Sequence, residues 1–194
     1  VMRVTNIDVQ ERVISFSEGN IGLVQSIGSS LSSIEDVRML TSEFLTSEVL
    51  ESSLNDAERV IMQSLSLFEF IGWREDRASE LEFILNDKNI PLLDIDKTII
   101  LNKAIGLIKK GLKRGLFIER GRTVSVTPRP MALQLISEWL EPVDEKRLLS
   151  VITSISESPN GKRLLREFHD RFRFMGESEE ASSMIATILK PGCV

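Results

Sequence analysis

The stretch DKTIILNKAIGLIKKGLKRGLFIERGRTVSVTPRP, residues 96–130, decides how the chain folds. From about Asp96 to Lys113 its apolar residues recur with helical period. At about 100° per residue, Ile100, Leu101, Ala104, Ile105, Leu107, Ile108 and Leu112 share one arc of the helix. Asn102, Lys103, Lys109, Lys110 and Lys113 share the opposite arc, so one face is built to pack and the other is cationic. Immediately afterwards the period falls to two: Leu116 and Ile118 alternate before Arg120-Gly121, and Val124 and Val126 alternate after it. Two alternating runs around a glycine-containing turn predict a β-hairpin with the apolar members facing inward. Thr127-Pro128-Arg129-Pro130 then ends the second strand, because proline cannot donate to the ladder and suits the first turn of a following helix.

Upstream, Asn55 can cap a helix while Glu58, three positions on, reaches back to complete a capping box. Ala57, Val60, Ile61, Leu65 and Phe68 follow as one apolar face, and Gly72 is placed to stop that helix. A second helix is expected from about Glu75 to Leu85 through Ala78, Leu81, Ile84 and Leu85, closing at the Asn86-Asp87-Lys88-Asn89 turn. Three helices followed by a hairpin predict a mainly α protein built on a winged helix-turn-helix with a small β-hairpin, flanked by helical segments. Downstream, a helix carries Ala132, Leu133, Leu135, Ile136, Trp139 and Leu140. Beyond Pro142, further helices are marked by Leu148, Leu149, Ile152 and Ile155, by Leu164, Leu165, Phe168 and Phe172, and by Met184, Ile185, Ile188 and Leu189. The expected division is a helical segment over 1–54, a winged helix over 55–141 and a C-terminal helical segment over 142–194.

With 194 residues, 42% of them hydrophobic, the chain can bury one large core or two small ones. The single cysteine, Cys193, cannot form an internal disulfide, and nothing argues for secretion. No apolar run reaches the about 18 residues that span a bilayer, and the N-terminus lacks a signal-peptide pattern. A cytoplasmic setting without a membrane partner is therefore expected. The abrupt start at Val1 and the end at Pro191-Gly192-Cys193-Val194 suggest a piece of a longer protein.

Few residues carry a pattern that points to chemistry. The sequence has no glycine-rich loop ending in Lys-Ser or Lys-Thr to cradle phosphates. His169 is the only histidine and has no cysteine near it, so a metal site is not expected. His169 follows Phe168 on an amphipathic helix and reads as an ordinary surface or half-buried side chain. The carboxylate pairs Glu75-Asp76 and Glu179-Glu180 occupy helix N-terminal turns, where the helix dipole accounts for them. Trp73 and Trp139 read as core residues rather than stacking platforms. No catalytic residue is assigned, and the chain is expected not to be an enzyme.

Charge is the more informative signal. The total is −5, yet nine basic residues and one acid, Glu119, fall between Lys97 and Arg129, giving +8 there and −13 elsewhere. The face formed by Asn102, Lys103, Lys109, Lys110, Lys113, Arg120 and Arg122 admits two readings. One is DNA binding, with helix and wing meeting the duplex. Lysine suits phosphate contacts more than forked base recognition, so such binding is weakly sequence-selective and steeply salt-dependent. The other is a solvated face, or one paired with an acidic neighbour inside a larger assembly.

Several phrases resemble a known family. Leu65-Ser66-Leu67-Phe68-Glu69-Phe70-Ile71-Gly72-Trp73, and Val126-Thr127-Pro128-Arg129-Pro130-Met131-Ala132-Leu133 with Glu138-Trp139, resemble the region just downstream of the ATPase core in large bacterial STAND-type NTPases. The stretch Ser17-Glu18-Gly19-Asn20-Ile21-Gly22-Leu23 looks like the lid segment of that family, with glycine at position 22 where the family's Gly-x-Pro motif has proline. The resemblance implies a lid and winged helix that pack on an ATPase domain and couple nucleotide state to assembly or sensor domains. It places Gly19, Asn20, Ile21 and Gly22 near nucleotide. ATP and Mg²⁺ would be held by sequence before Val1, with no cofactor in this chain. The partners implied are the ATPase and sensor domains of a parent protein, with DNA as the rival partner.

Overall fold

The computed structural model describes residues 7–17, 24, 54–92 and 97–175. Among these, seven α-helices surround a small antiparallel sheet. Helix α1 spans Ile7–Phe16 and contributes Val13 to the core. The lid-like Gly19 to Gly22, most of the serine-broken stretch before Leu54, and the expected helix around Met184 to Leu189 lie outside the described residues.

Helix α2, Asp56–Ser66, opens with the expected capping box. Glu58 N–H donates to Asn55 Oδ1 at 3.0 Å, and Asn55 N–H donates to Glu58 Oε2 at 3.1 Å. From Val60 to Ser66 every residue is buried, which demands neighbours on several sides. The hydroxyls of Ser64 and Ser66 are satisfied within the helix by the carbonyls of Val60 and Met62.

Gly72 does not stop this helix. The helix ends at Ser66, and the chain runs extended into strand β1, Ile71–Gly72. Leu67 and Phe68 are fully buried beyond the helix end, so the apolar pattern outlasts the helical backbone. Glycine is required at 72 for another reason: a Cβ there would sit 2.6 Å from the Arg77 carbonyl oxygen. The second helix is likewise split, into a 3-10 turn, Glu75–Arg77, and helix α3, Ala78–Asn86.

Helix α4, Lys97–Arg114, packs against α2 and α3 through Ile100, Ala104, Leu107 and Ile108. Strands β2, Phe117–Arg120, and β3, Thr123–Val126, form the hairpin, and Gly121 takes the positive φ of +60° that its turn needs. The sheet order is β1-β3-β2, all antiparallel, with Ile71 opposite Val124 and Phe117 opposite Val126. The inward phase of β2 differs from expectation. Leu116 is buried ahead of the strand and Phe117 faces the core, which turns Ile118 outward to 41% exposure.

Helix α5, Arg129–Leu140, follows the proline-rich turn and lies along α2. Arg59 and Gln63 on α2 both bond Glu138 on α5. Trp139 is buried as expected, with its indole N–H donating to the Ile90 carbonyl at 2.7 Å. Helices α6, Glu145–Glu157, and α7, Gly161–Phe172, pair with each other. One apolar cluster runs from Ile61 and Ile108 through Trp139 to Leu164 and Phe168.

Candidate binding face on the fourth helix

The outer arc of α4 carries the sequence-predicted cationic residues, and Asn102, Lys103, Lys109, Lys110 and Lys113 are all exposed on it. Its inner arc is anchored at the C-terminal end by Gly111, where a Cβ would collide with the Phe117 ring. That close approach of helix to β2 fixes the rotation of α4 and hence the direction of the lysines. None of Lys103, Lys109, Lys110 and Lys113 forms an ion pair or hydrogen bond with another described residue.

Two members of the same arc were missed by a search for charge. Ile99 is 50% exposed, and Gly106 lies mid-helix with no described residue within 4 Å of where its Cβ would stand. A glycine in a helix interior makes it about 0.5–1 kcal/mol less stable than alanine would. No contact with another described residue explains it. Helical spacing would have found both: Ile99, Lys103, Gly106, Lys110 and Lys113 step by four and three along one seam.

The hairpin arginines behave differently from the lysines. Arg122 pairs with Glu75 at 2.6 Å and with Asp76 at 2.8 Å, and the Arg122 carbonyl accepts from Trp73 N–H. Arg120 places its guanidinium 4.9 Å from the Phe70 ring centroid. The turn of the hairpin therefore lies on the segment Phe70 to Asp76, and its two arginines are engaged there. The acids Glu75 and Asp76 are the partners of Arg122, a contact more specific than the helix dipole.

Protein-family models, curated proteins and solved structures offer no relative of this chain.

A second charged constellation lies on α7. Arg163, Glu167 and Arg171 follow each other at four-residue steps and grip the segment Phe68–Gly72. Arg163 bonds the carboxylate of Glu80 on α3, a group that also accepts from Gly72 N–H at 2.6 Å and from Arg77 Nε at 3.1 Å. Glu167 accepts from Phe70 N–H through its side chain and from Glu69 N–H through its backbone. Arg171, only 1% exposed, donates to the Phe68 carbonyl and to Ser125 Oγ on β3, and pairs with Glu69 at 3.2 Å. Burial, and then the neighbouring Arg77, pull the Arg163 guanidinium below its usual pKa against the raising effect of Glu167.

His169 is exposed beside Asp170, and Trp73 is buried under the Arg74 guanidinium, 4.1 Å from its ring centroid. Among the described residues, no group of three His, Cys, Asp or Glu side chains is arranged to hold a metal. No helix among them is long and apolar enough to cross a membrane.

Proposed function

We propose that this chain is a winged-helix interaction module, without a catalytic step of its own, belonging to a larger STAND-type NTPase of the cytoplasm. In this reading it carries the nucleotide state of an ATPase domain to assembly or sensor domains, and ATP and Mg²⁺ belong to that ATPase domain. The order α2-β1-α3-α4-β2-β3, with β1 on the far side of β3, supports the winged helix. The observation that carries the relay is the α7 clamp. Arg171 reaches β3 while Arg163 reaches α3, so the helical extension moves with the sheet and with the helix that supports α4. A domain pressing on either end would displace the other.

Two results test this. The coding sequence ahead of Val1 is expected to contain a phosphate-binding loop, and a parent without one removes the NTPase. In the parent protein, amide hydrogen exchange in segment 68–72 and in α7 is expected to change together on adding a non-hydrolysable ATP analogue. Exchange that changes in neither segment removes the relay.

The lysine arc supports a second reading, a winged-helix DNA-binding transcriptional regulator with weak sequence selectivity. Four exposed lysines without partners among the described residues suit phosphate contacts. Electrophoretic mobility of a duplex at low and moderate salt tests it, and no shift at low salt removes it.

A further inference from the structure

We infer that the outer seam of α4 is a docking surface for an acidic amphipathic helix of a partner protein or domain, with Gly106 receiving an apolar side chain of that helix. This rests on the interaction-module reading and specifies the partner's chemistry. The 4-3-4-3 spacing of Ile99, Lys103, Gly106, Lys110 and Lys113 is the row that one helix presents to another lying along it. Gly106 sits at the centre of the arc with no described residue above it and no side chain of its own, so a partner backbone can approach there more closely than at the neighbouring lysines. Ile99 adds an exposed apolar contact toward the N-terminal end of the seam.

Cations flank the glycine on both sides. Lys103 and Lys110 lie on one side of Gly106 around the helix, and Asn102 and Lys109 lie on the other. A partner helix with an apolar row between two rows of carboxylates matches this arrangement in charge and in shape.

A duplex fits less well. It gains nothing from the exposed Ile99 side chain at the N-terminal end of the seam. The two arginines of the wing, which would hold the backbone, are engaged on Glu75, Asp76 and Phe70.

The test uses the full chain, isotopically labelled, titrated at physiological ionic strength. The probe is a synthetic helix-forming peptide with leucines at 4-3-4 spacing between glutamate rows. Its glutamate-to-glutamine version and a short mixed-sequence DNA duplex serve as comparisons. Amide shifts concentrated on residues 99–113 are expected with the acidic peptide, with affinity lowered about tenfold or more for the glutamine version. Gly106→Leu and the pair Lys103→Glu with Lys110→Glu should each weaken binding about tenfold or more.

Because position 106 has room for a side chain, Gly106→Ala should leave the fold intact, with a melting temperature raised by about 2 °C. This variant separates lost binding from lost folding. No shifts with the acidic peptide, shifts centred elsewhere, or Gly106→Leu binding as tightly as the parent would each overturn the docking surface and leave the relay to its own exchange test. Preferential binding of the duplex through the same residues would overturn both the docking surface and the interaction-module reading.

Discussion

The outer arc of α4 and the inner side of α7 are both rich in charge, and they treat it in opposite ways. On α7, Arg163 and Arg171 are drawn into the protein, and each guanidinium meets a carboxylate and a backbone carbonyl. On α4, Lys103, Lys109, Lys110 and Lys113 stand in solvent with no described partner. The residue types suit this difference. Arginine's planar fork holds several acceptors at once and is weakly hydrated, so it can be buried; lysine is a strongly hydrated point charge on a flexible stem. Charge on α7 is therefore part of what folds the molecule, whereas charge on α4 contributes to what the molecule can meet. Substitutions in the two regions should differ sharply in their effect on stability.

The largest effect is expected at Glu80, which is 2% exposed and accepts from Gly72 N–H, Arg77 and Arg163. Glu80→Ala removes the acceptor and leaves a partly buried guanidinium facing Arg77. Breaking a buried pair from one side costs about 3–5 kcal/mol, and the lower end applies because the Arg163 side chain keeps 23% of its exposure. Urea unfolding should show a loss of about 3 kcal/mol for Glu80→Ala and a comparable loss for Arg171→Met. A loss below about 1 kcal/mol in both would place the clamp with ordinary surface ion pairs and dissolve the contrast.

A sharper comparison lies within α4, between two glycines five residues apart. At Gly111 a side chain must enter the space of the Phe117 ring, whereas at Gly106 it meets no described residue. Overpacking costs about 1–3 kcal/mol and the gain in helix propensity returns about 0.5–1, so Gly111→Ala should destabilise by about 1 kcal/mol. Gly106→Ala should stabilise by about 0.5–1 kcal/mol. Thermal unfolding of the two variants side by side would decide it, and shifts of the same sign would contradict the assigned inner and outer faces.

These contrasts were unequally legible in the sequence. The packing arc of α4, the hairpin and the Asn55 cap depend on residues close together in the chain, and periodicity and capping rules read such features directly. Strand β1 was missed because two residues carry no alternation of their own; they become a strand only by lying against Thr123 and Val124. The clamp was missed for a related reason. Arg171 and Phe68 are separated by 103 residues, and apolar periodicity marks α7 only by Leu164, Leu165, Phe168 and Phe172. The repeat of Arg163, Glu167 and Arg171 at four-residue steps was a usable signal that this helix carries a second ordered face. Sequence places Arg120 and Arg122 on one cationic face with the α4 lysines; their engagement with Phe70, Glu75 and Asp76 depends on where the hairpin lands, which no local pattern records.

The smallest effect concerns the lysines themselves, and here the sign matters more than the size. Lys109 lies four residues before Lys113, and like charges at that spacing destabilise a helix by about 0.2–0.5 kcal/mol. Lys113 also stands in the last turn of α4, where a cation is favoured by the helix dipole by about 0.3–1 kcal/mol. Removing Lys109 relieves repulsion and forfeits nothing, so Lys109→Gln should stabilise the protein by a few tenths of a kcal/mol at low salt. The gain should vanish as salt rises, because exposed charges are screened within about 10 Å at 0.1 M. Lys113→Gln relieves repulsion with both Lys109 and Lys110 but loses the dipole contact, so its effect should lie near zero. If Lys109→Gln instead destabilised by more than about 0.5 kcal/mol at any ionic strength, Lys109 would be supporting the fold as Arg163 does, and the α4 arc would lose its standing as a surface left free for a partner.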